Sequence, residues 1–318
     1  MSRPEATEAQ CADAILMIRP ACFGANPETA ASNRFQRSGK SAGDAAAAVR
    51  EFDGLVDRLR AAGVEVYVAE DTPEPPKPDA CFPNNWVSFH ADGSVVLYPM
   101  MAPSRRAERR AEPIEQLRRA GYRIARTIDL SPFEASGEFL EGTGSLVLDR
   151  CHRTAYACRS PRTTSAALAG FSVELGYRVV EFTALGPDGL PAYHTNVLMA
   201  IGKGFAVICV AAIPDARERA AVLRELEVAG HEPVEIGIAE MNGFAGNMLA
   251  LRSTSGGALI AASDAALHAL EPETRRRLER FGAIVAAPIP TIERLGGGSV
   301  RCMIAEVFLP RSAGAGRW

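Results

Sequence analysis

The residues in this sequence able to do covalent chemistry begin with one thiol. Cys302 lies in LGGGSVRCMIAEVFLP (295–310), four positions after the run Gly296, Gly297 and Gly298 and at the start of the alternating apolar run 303–309. The glycines permit an unusual backbone path and the alternation predicts a strand, so an exposed thiol is expected where a loop becomes rigid. A cysteine attacks as its thiolate and needs a neighbour that holds a proton or a positive charge. Arg301 is the adjacent cation, but neighbouring side chains on a strand point to opposite faces, which assigns it to the substrate instead. Taken alone, the stretch reads as a buried structural cysteine. Glu141 in EFLEGTG and His194 in AYHTNVL would complete a nucleophilic site. A helix cap or surface charge explains the first equally well, and a satisfied core histidine the second. The fold decides between these readings.

The elements that must position these residues repeat. A strand at 14–19 leads into a polar loop through Asn26, Asn33, Phe35 and Gln36, which has no periodicity and reads as a lid. A helix at 42–62 carries an apolar stripe (Val49, Phe52, Val56, Leu59), ends at Gly63 and is followed by a strand at 64–68. Strand pairs then recur at 86–90 with 94–98, 146–149 with 154–158, 196–201 with 205–210, and 247–251 with 258–262. Each pair is followed by a helix (103–120, after Pro161, after Pro214, after Ser263) and a further strand (122–127, 177–182, 232–236, 283–289). The unit is strand, strand, helix, strand, at about 50–60 residues per repeat. The first unit lacks its opening pair, which the C-terminal strand near Cys302 and the N-terminal strand ending at Arg19 can supply. The expected fold class is therefore α/β, a five-bladed α/β propeller of pseudo-fivefold ββαβ repeats forming a single domain over 1–318. Equivalent positions of a closed ring converge on its axis: Asn84 and Asn85, Glu141, His194, Asn242 or Asn247, and Cys302. Thiol, imidazole and carboxylate together make an activated cysteine nucleophile.

Composition narrows the classes. The 318 residues are 47% hydrophobic and 23% charged, with net charge −3 and pI near 6.0, which suits a soluble globular protein and argues against nucleic acid as a partner. The basic runs at 105–110 and 275–280 read as solvated helix faces. Seven cysteines without regular spacing form no disulfide framework, so a reducing cytoplasm is expected. The N-terminus lacks the apolar core of a signal peptide, and the apolar stretch 197–213 is interrupted by Gly202, Lys203 and Gly204, which predicts a hairpin and no membrane span. His90, His231, Cys151, His152 and Cys158 do not have the spacing of a common zinc site, and no metal site is assigned. The GTGS at 142 and GGGS at 296 open no phosphate-binding helix, so no nucleotide cofactor is indicated.

The segments MIRPACFGANPETAASNRFQ, PDACFPNNWVSFH, EFLEGTGSLVLDR, YHTNVLMAIG and GGGSVRCM resemble, in order and spacing, the guanidino-group-modifying or pentein superfamily of arginine deiminases and amidinotransferases. Most closely they resemble its citrulline utilisation hydrolase branch. The resemblance implies the five-bladed propeller, Cys302 as nucleophile, His194 as general acid and base, Glu141 as orienting carboxylate, and Asp79 as ligand of the substrate's nitrogen-bearing head. One departure is informative: deiminases carry an acidic residue two positions after the histidine, and this sequence has Asn196. A carboxamide donates, accepts and carries no charge, which matches a neutral ureido group. The expected reaction is hydrolysis of citrulline to ornithine, ammonia and carbon dioxide, with no metal or organic cofactor. The alternatives are an arginine or modified-arginine deiminase, dihydrolase or amidinotransferase, and a non-catalytic propeller that binds a protein surface. Substrate contacts are expected from Asp79, Asn84, Asn85 and Asn196, with Arg19, Asn26 and Arg301 as candidates for the α-amino and carboxylate groups. The partner is a small molecule, and a homo-oligomer is compatible with the sequence.

Overall fold

The computed structural model describes residues 8–37, 39 and 43–312. The first residues of the polar N-terminus, and Ala42 at the expected start of the first long helix, lie outside the described residues. Five three-stranded sheets recur along the chain, each joining an antiparallel pair to a parallel third strand that returns after a helix. The second comprises Val87–Phe89, Ser94–Leu97 and Arg126–Asp129. The third comprises Val147–Asp149, Thr154–Cys158 and Arg178–Phe182. The fourth comprises Met199–Gly202, Phe205–Ile208 and Glu232–Glu235, and the fifth Leu249–Arg252, Ala258–Ser263 and Ala283–Ala287. The first sheet is assembled from the two ends of the chain. Ala14–Arg19 pairs parallel with Glu65–Glu70 and antiparallel with Ala305–Glu306, Ile15 facing Glu306.

First strands of neighbouring sheets lie against one another: Val147–Asp149 beside Met199–Gly202, that strand beside Leu249–Arg252, and Ala305–Glu306 beside Val87–Phe89. Apart from exposed Arg252 at one strand end, their residues are buried on both faces, as the apolar runs require. The helices close the outer side. Asp44–Ala61 buries Ala48, Phe52, Leu55, Val56 and Leu59 against Ala283–Ala287, and its chain reverses at Gly63, whose φ of +85° is open to glycine at little cost. Val49, expected on the apolar stripe, is only half-buried, and Leu55 takes its place.

Three expected elements differ. The helix at 103–120 is two helices, Pro103–Arg106 and Ala111–Arg119. Pro113 has no N–H to give to residue 109 and its ring would crowd that carbonyl, so the helix restarts with the proline in its first turn. The strand expected at 122–127 forms at Arg126–Asp129, because Tyr122 and Ile124 pack into the cluster around Leu16 and Leu117 and Tyr122 bridges to Arg311. The strand expected at 303–309 is only Ala305–Glu306, and Cys302 lies in a one-turn 3-10 helix, Val300–Met303. The run at 197–213 contains the expected hairpin, with Gly202 opposite Phe205, and no described helix is long and apolar enough to cross a membrane.

Candidate active site

Short helical turns precede the first strands at four of the sheets: Pro83–Asn85, Gly142–Ser145, Thr195–Val197 and Val300–Met303. Glu141 and His194 sit immediately before two of these turns, Asn85 ends another, and Cys302 lies within the last. Glycine lets neighbouring turns touch backbone to backbone. A Cβ on Gly142 would stand 2.2 Å from the carbonyl oxygen of Asn84, and one on Gly246 2.2 Å from that of Val197. This contact brings residues some fifty positions apart into hydrogen-bonding range.

Cys302 is buried, 4% exposed, and packs in the cluster of Phe82, Val300 and Met303, so the exposed loop-end thiol expected from sequence is corrected. Two carboxamides address its sulfur: Asn196 Nδ2 at 3.4 Å and Asn247 Nδ2 at 3.3 Å. The thiol in turn lies 3.6 Å from Asn247 Oδ1. Asn247 is thereby the fifth converging residue, whereas Asn242 is exposed and accepts from Arg34 Nη2. His194 Nε2 lies 2.8 Å from Glu141 Oε2. Burial pushes the imidazole down to about 4 against the opposing pull of Glu141, so the ring is neutral near pH 7. For Glu141, burial alone would raise the pKa, but Arg162, the His194 hydrogen bond and Arg105 outweigh it and hold the carboxyl well below the usual range. A neutral imidazole oriented by a fixed carboxylate is set to take up a proton.

A cleft of about 270 Å³ is lined by Asp79, Asn85, Arg105, Arg162, His194 and Cys302, with Tyr193, Phe82 and the Gly296, Gly297 and Gly298 backbone. Asp79 is 2% exposed; its Oδ2 accepts from Asn26 Nδ2 at 2.8 Å, while its Oδ1 has no partner among the described residues. Three buried carboxylates, Asp79, Glu108 and Glu141, share this region with two buried guanidiniums, Arg105 and Arg162. Burial pushes Glu108 up to about 7, so near neutral pH this set of five groups is close to balanced in charge. The polar loop read as a lid folds down over the cleft: Asn33 Nδ2 donates to Gly296 O at 3.1 Å, and Gln36 Nε2 to Asn26 O at 3.0 Å.

Several expected ligands fall elsewhere. Arg19 pairs with Asp53 at 2.8 Å outside the cleft. Arg301 points away from Cys302 as expected, but that side is a second cavity where it donates to Ile304 O and Glu306, so it is not in the cleft. Asn196 touches the sulfur and does not line the cleft. Asn84 is buried beside the Gly142 turn, also off the cleft, and Asn26 stands behind Asp79. Asn85 lines the cleft and accepts from Arg105 Nη1 at 2.8 Å. Sequence reading missed Arg105 and Arg162. Arg105 was hidden in the basic run 105–110, where only the Glu108 three positions on, now 2.8 Å away, hinted at a buried pair. Arg162, 2% exposed, is held by Ser32 and the Thr29 carbonyl and had no sequence signal.

The profile of a family described as N,N dimethylarginine dimethylhydrolase, eukaryotic, matches residues 19–309. Among solved structures, the N-terminal domain of ArgZ, an arginine dihydrolase from the ornithine-ammonia cycle in cyanobacteria, is similar at TM-score 0.72 and 17% identity, over 93% of this chain and 99% of that one. AgrE in complex with L-arginine is similar at TM-score 0.73 and 18% identity, over 95% of this chain but 41% of its own length. A dimethylarginine dimethylaminohydrolase variant captured as an adduct with S-methyl-L-thiocitrulline is similar at TM-score 0.62 and 16% identity, over 92% and 99%. At these identities the likeness carries the fold. No curated protein matches the chain.

Proposed function

The chain belongs to the N,N dimethylarginine dimethylhydrolase family, and from that premise we propose that it is a cysteine-dependent hydrolase of guanidino C–N bonds, acting on arginine or an N-methylated arginine. The observation that carries the substrate class is the Oδ1 of buried Asp79, which lines the cleft beside Cys302 and has no partner among the described residues. A guanidinium donates to that carboxylate oxygen in a charge-assisted hydrogen bond, whereas a neutral ureido group offers only an uncharged one.

As the Cys302 sulfur adds to the guanidino carbon, the thiol proton passes to His194 and then to the departing nitrogen, which leaves as ammonia or alkylamine. Water next attacks the S-linked intermediate and gives its proton to His194. The C–S bond then breaks, releasing citrulline and the thiolate. Asn196 and Asn247 stabilise negative sulfur in both steps, and Glu141 holds the imidazole. A second round on citrulline would yield ornithine, ammonia and carbon dioxide. Citrulline as the primary substrate is the weaker reading, because Asn196, the residue that suggested it, contacts the sulfur and not the cleft. A non-catalytic binding module would leave the Cys302, His194 and Glu141 arrangement without a use. We take the five sheets as blades of one propeller domain.

The test is a panel of arginine, asymmetric dimethylarginine, agmatine and citrulline, with ammonia, dimethylamine, citrulline and ornithine measured, and Cys302→Ala as the control. Turnover of a guanidino substrate that is lost in Cys302→Ala is expected. Turnover of citrulline alone would reject the guanidino assignment, and undiminished turnover in Cys302→Ala would reject the nucleophile.

A further inference from the structure

The turn between Val147–Asp149 and Thr154–Cys158 holds donor groups that the proposed reaction does not use. Asp149 ends the first strand of the third sheet and is buried, and His231, also buried, immediately precedes Glu232–Glu235 of the fourth sheet. His152 occupies the turn with its side chain 49% exposed. Asp149 Oδ2 lies 2.8 Å from His231 Nε2 and 2.9 Å from His152 Nδ1, and one donor atom from each of the three residues lies within 4.8 Å of the other two. The backbone N–H of His152 bonds Oδ1 at 3.1 Å, which fixes the carboxylate and leaves Oδ2 between the two rings. Nothing among the described residues engages the other nitrogen of His231, so its ring is held from the Asp149 side alone.

We propose that Asp149, His152 and His231 bind one divalent cation of the zinc type, which clamps the hairpin of the third sheet to the fourth. Two imidazoles and a carboxylate form a nitrogen and oxygen set that zinc accepts with tetrahedral geometry and one position open to water. The adjacent Cys151 does not fill that position, since its thiol is turned to Glu8 O at 3.4 Å. Donors bound at about 2.0–2.1 Å in a tetrahedron stand roughly 3.3 Å apart. The two carboxylate–imidazole separations, 2.8 and 2.9 Å, are a few tenths of an ångström shorter, and the half-exposed His152 can supply the movement. The site lies at the far end of the third sheet's first strand from Glu141, so it is separate from the cleft.

Untagged protein treated with EDTA and titrated with zinc chloride against a chromophoric chelator should bind one equivalent at this site, with a rise in Tm. His152→Ala, at an exposed side chain, should weaken that binding at least about a hundredfold, more than loss of an outer-shell partner costs, and abolish the rise. Cys302→Ala should leave it unchanged. Zinc-edge X-ray absorption on the wild type needs no variant and should report two imidazoles and oxygen donors. Absence of binding, full affinity in His152→Ala, loss in Cys302→Ala or a sulfur ligand would each overturn the proposal.

Discussion

Asp79 keeps one oxygen free at the cleft while Asn26 and the Arg105 guanidinium hold the other. If that oxygen receives the substrate guanidinium, Asp79→Asn removes a charged hydrogen bond of about 1.5–3 kcal/mol, so kcat/KM for arginine-type substrates should fall roughly tenfold to a hundredfold. Steady-state kinetics check this, and an unaltered kcat/KM would detach Asp79 from recognition. Asn196 gives a contrasting case. Its carboxamide was expected to read the substrate head, and a change to Asp there would have shifted the preference toward arginine. Against the sulfur of Cys302, Asn196→Asp instead places a carboxylate beside the thiol and disfavours the thiolate. Rates on every substrate should fall together, with the ratio of specificity constants between arginine and citrulline nearly constant. A shifted ratio would return Asn196 to substrate reading. The types of these residues were legible in the sequence, but their directions were not. Either backbone turns Arg301 and Cys302 apart, but only the structure shows that the far side of Cys302 is a second cavity and not the substrate cleft.

The turns before the first strands depend on close backbone contact. Gly142 has φ +45° and its missing Cβ would meet the Asn84 carbonyl at 2.2 Å, so no side chain can be accommodated without moving one turn away from the other. Gly142→Ala should cost about 1–3 kcal/mol of stability, the usual range for overpacking, and lower kcat more than the stability loss explains, because Glu141 is the preceding residue. Urea denaturation and kinetics on the folded fraction would test it; normal kcat in the variant would mean that the turns tolerate displacement. The repeat itself was readable, since the strand pairs and their spacing recur in the sequence, and the strands 14–19 and 154–158 lie where they were expected. The break in the helix at 103–120 was legible in Pro113, whereas the true start of Arg126–Asp129 was set by packing of Tyr122 and Ile124, which local pattern does not encode.

Across the molecule, acid acts through histidines buried neutral. Burial pushes His90 down to about 3 and His194 to about 4, against an ordinary value of 6.5. Both folded-state values are depressed, so the unfolded chain takes up these protons first as pH falls. The associated stability is complete above about pH 6.5 and is lost between there and the folded values, at on the order of 2 kcal/mol per pH unit near pH 5 for the two together. Glu141, also held low, adds its own loss below its ordinary 4.5. Unfolding free energies measured at pH 7 and pH 5 should show this slope, and His90→Gln should reduce it by about half; an identical slope in the variant would place the acid sensitivity elsewhere. The pairing of Ala14–Arg19 with Ala305–Glu306 has a consequence for the order of folding. On the ribosome the first strand emerges early and must wait for a partner nearly three hundred residues behind it, so the first sheet keeps an open edge until synthesis has passed Glu306. Such a non-local closure makes folding slow for the chain's size. It also means that Cys302, three residues before Ala305, is translated together with the strand that closes the first sheet.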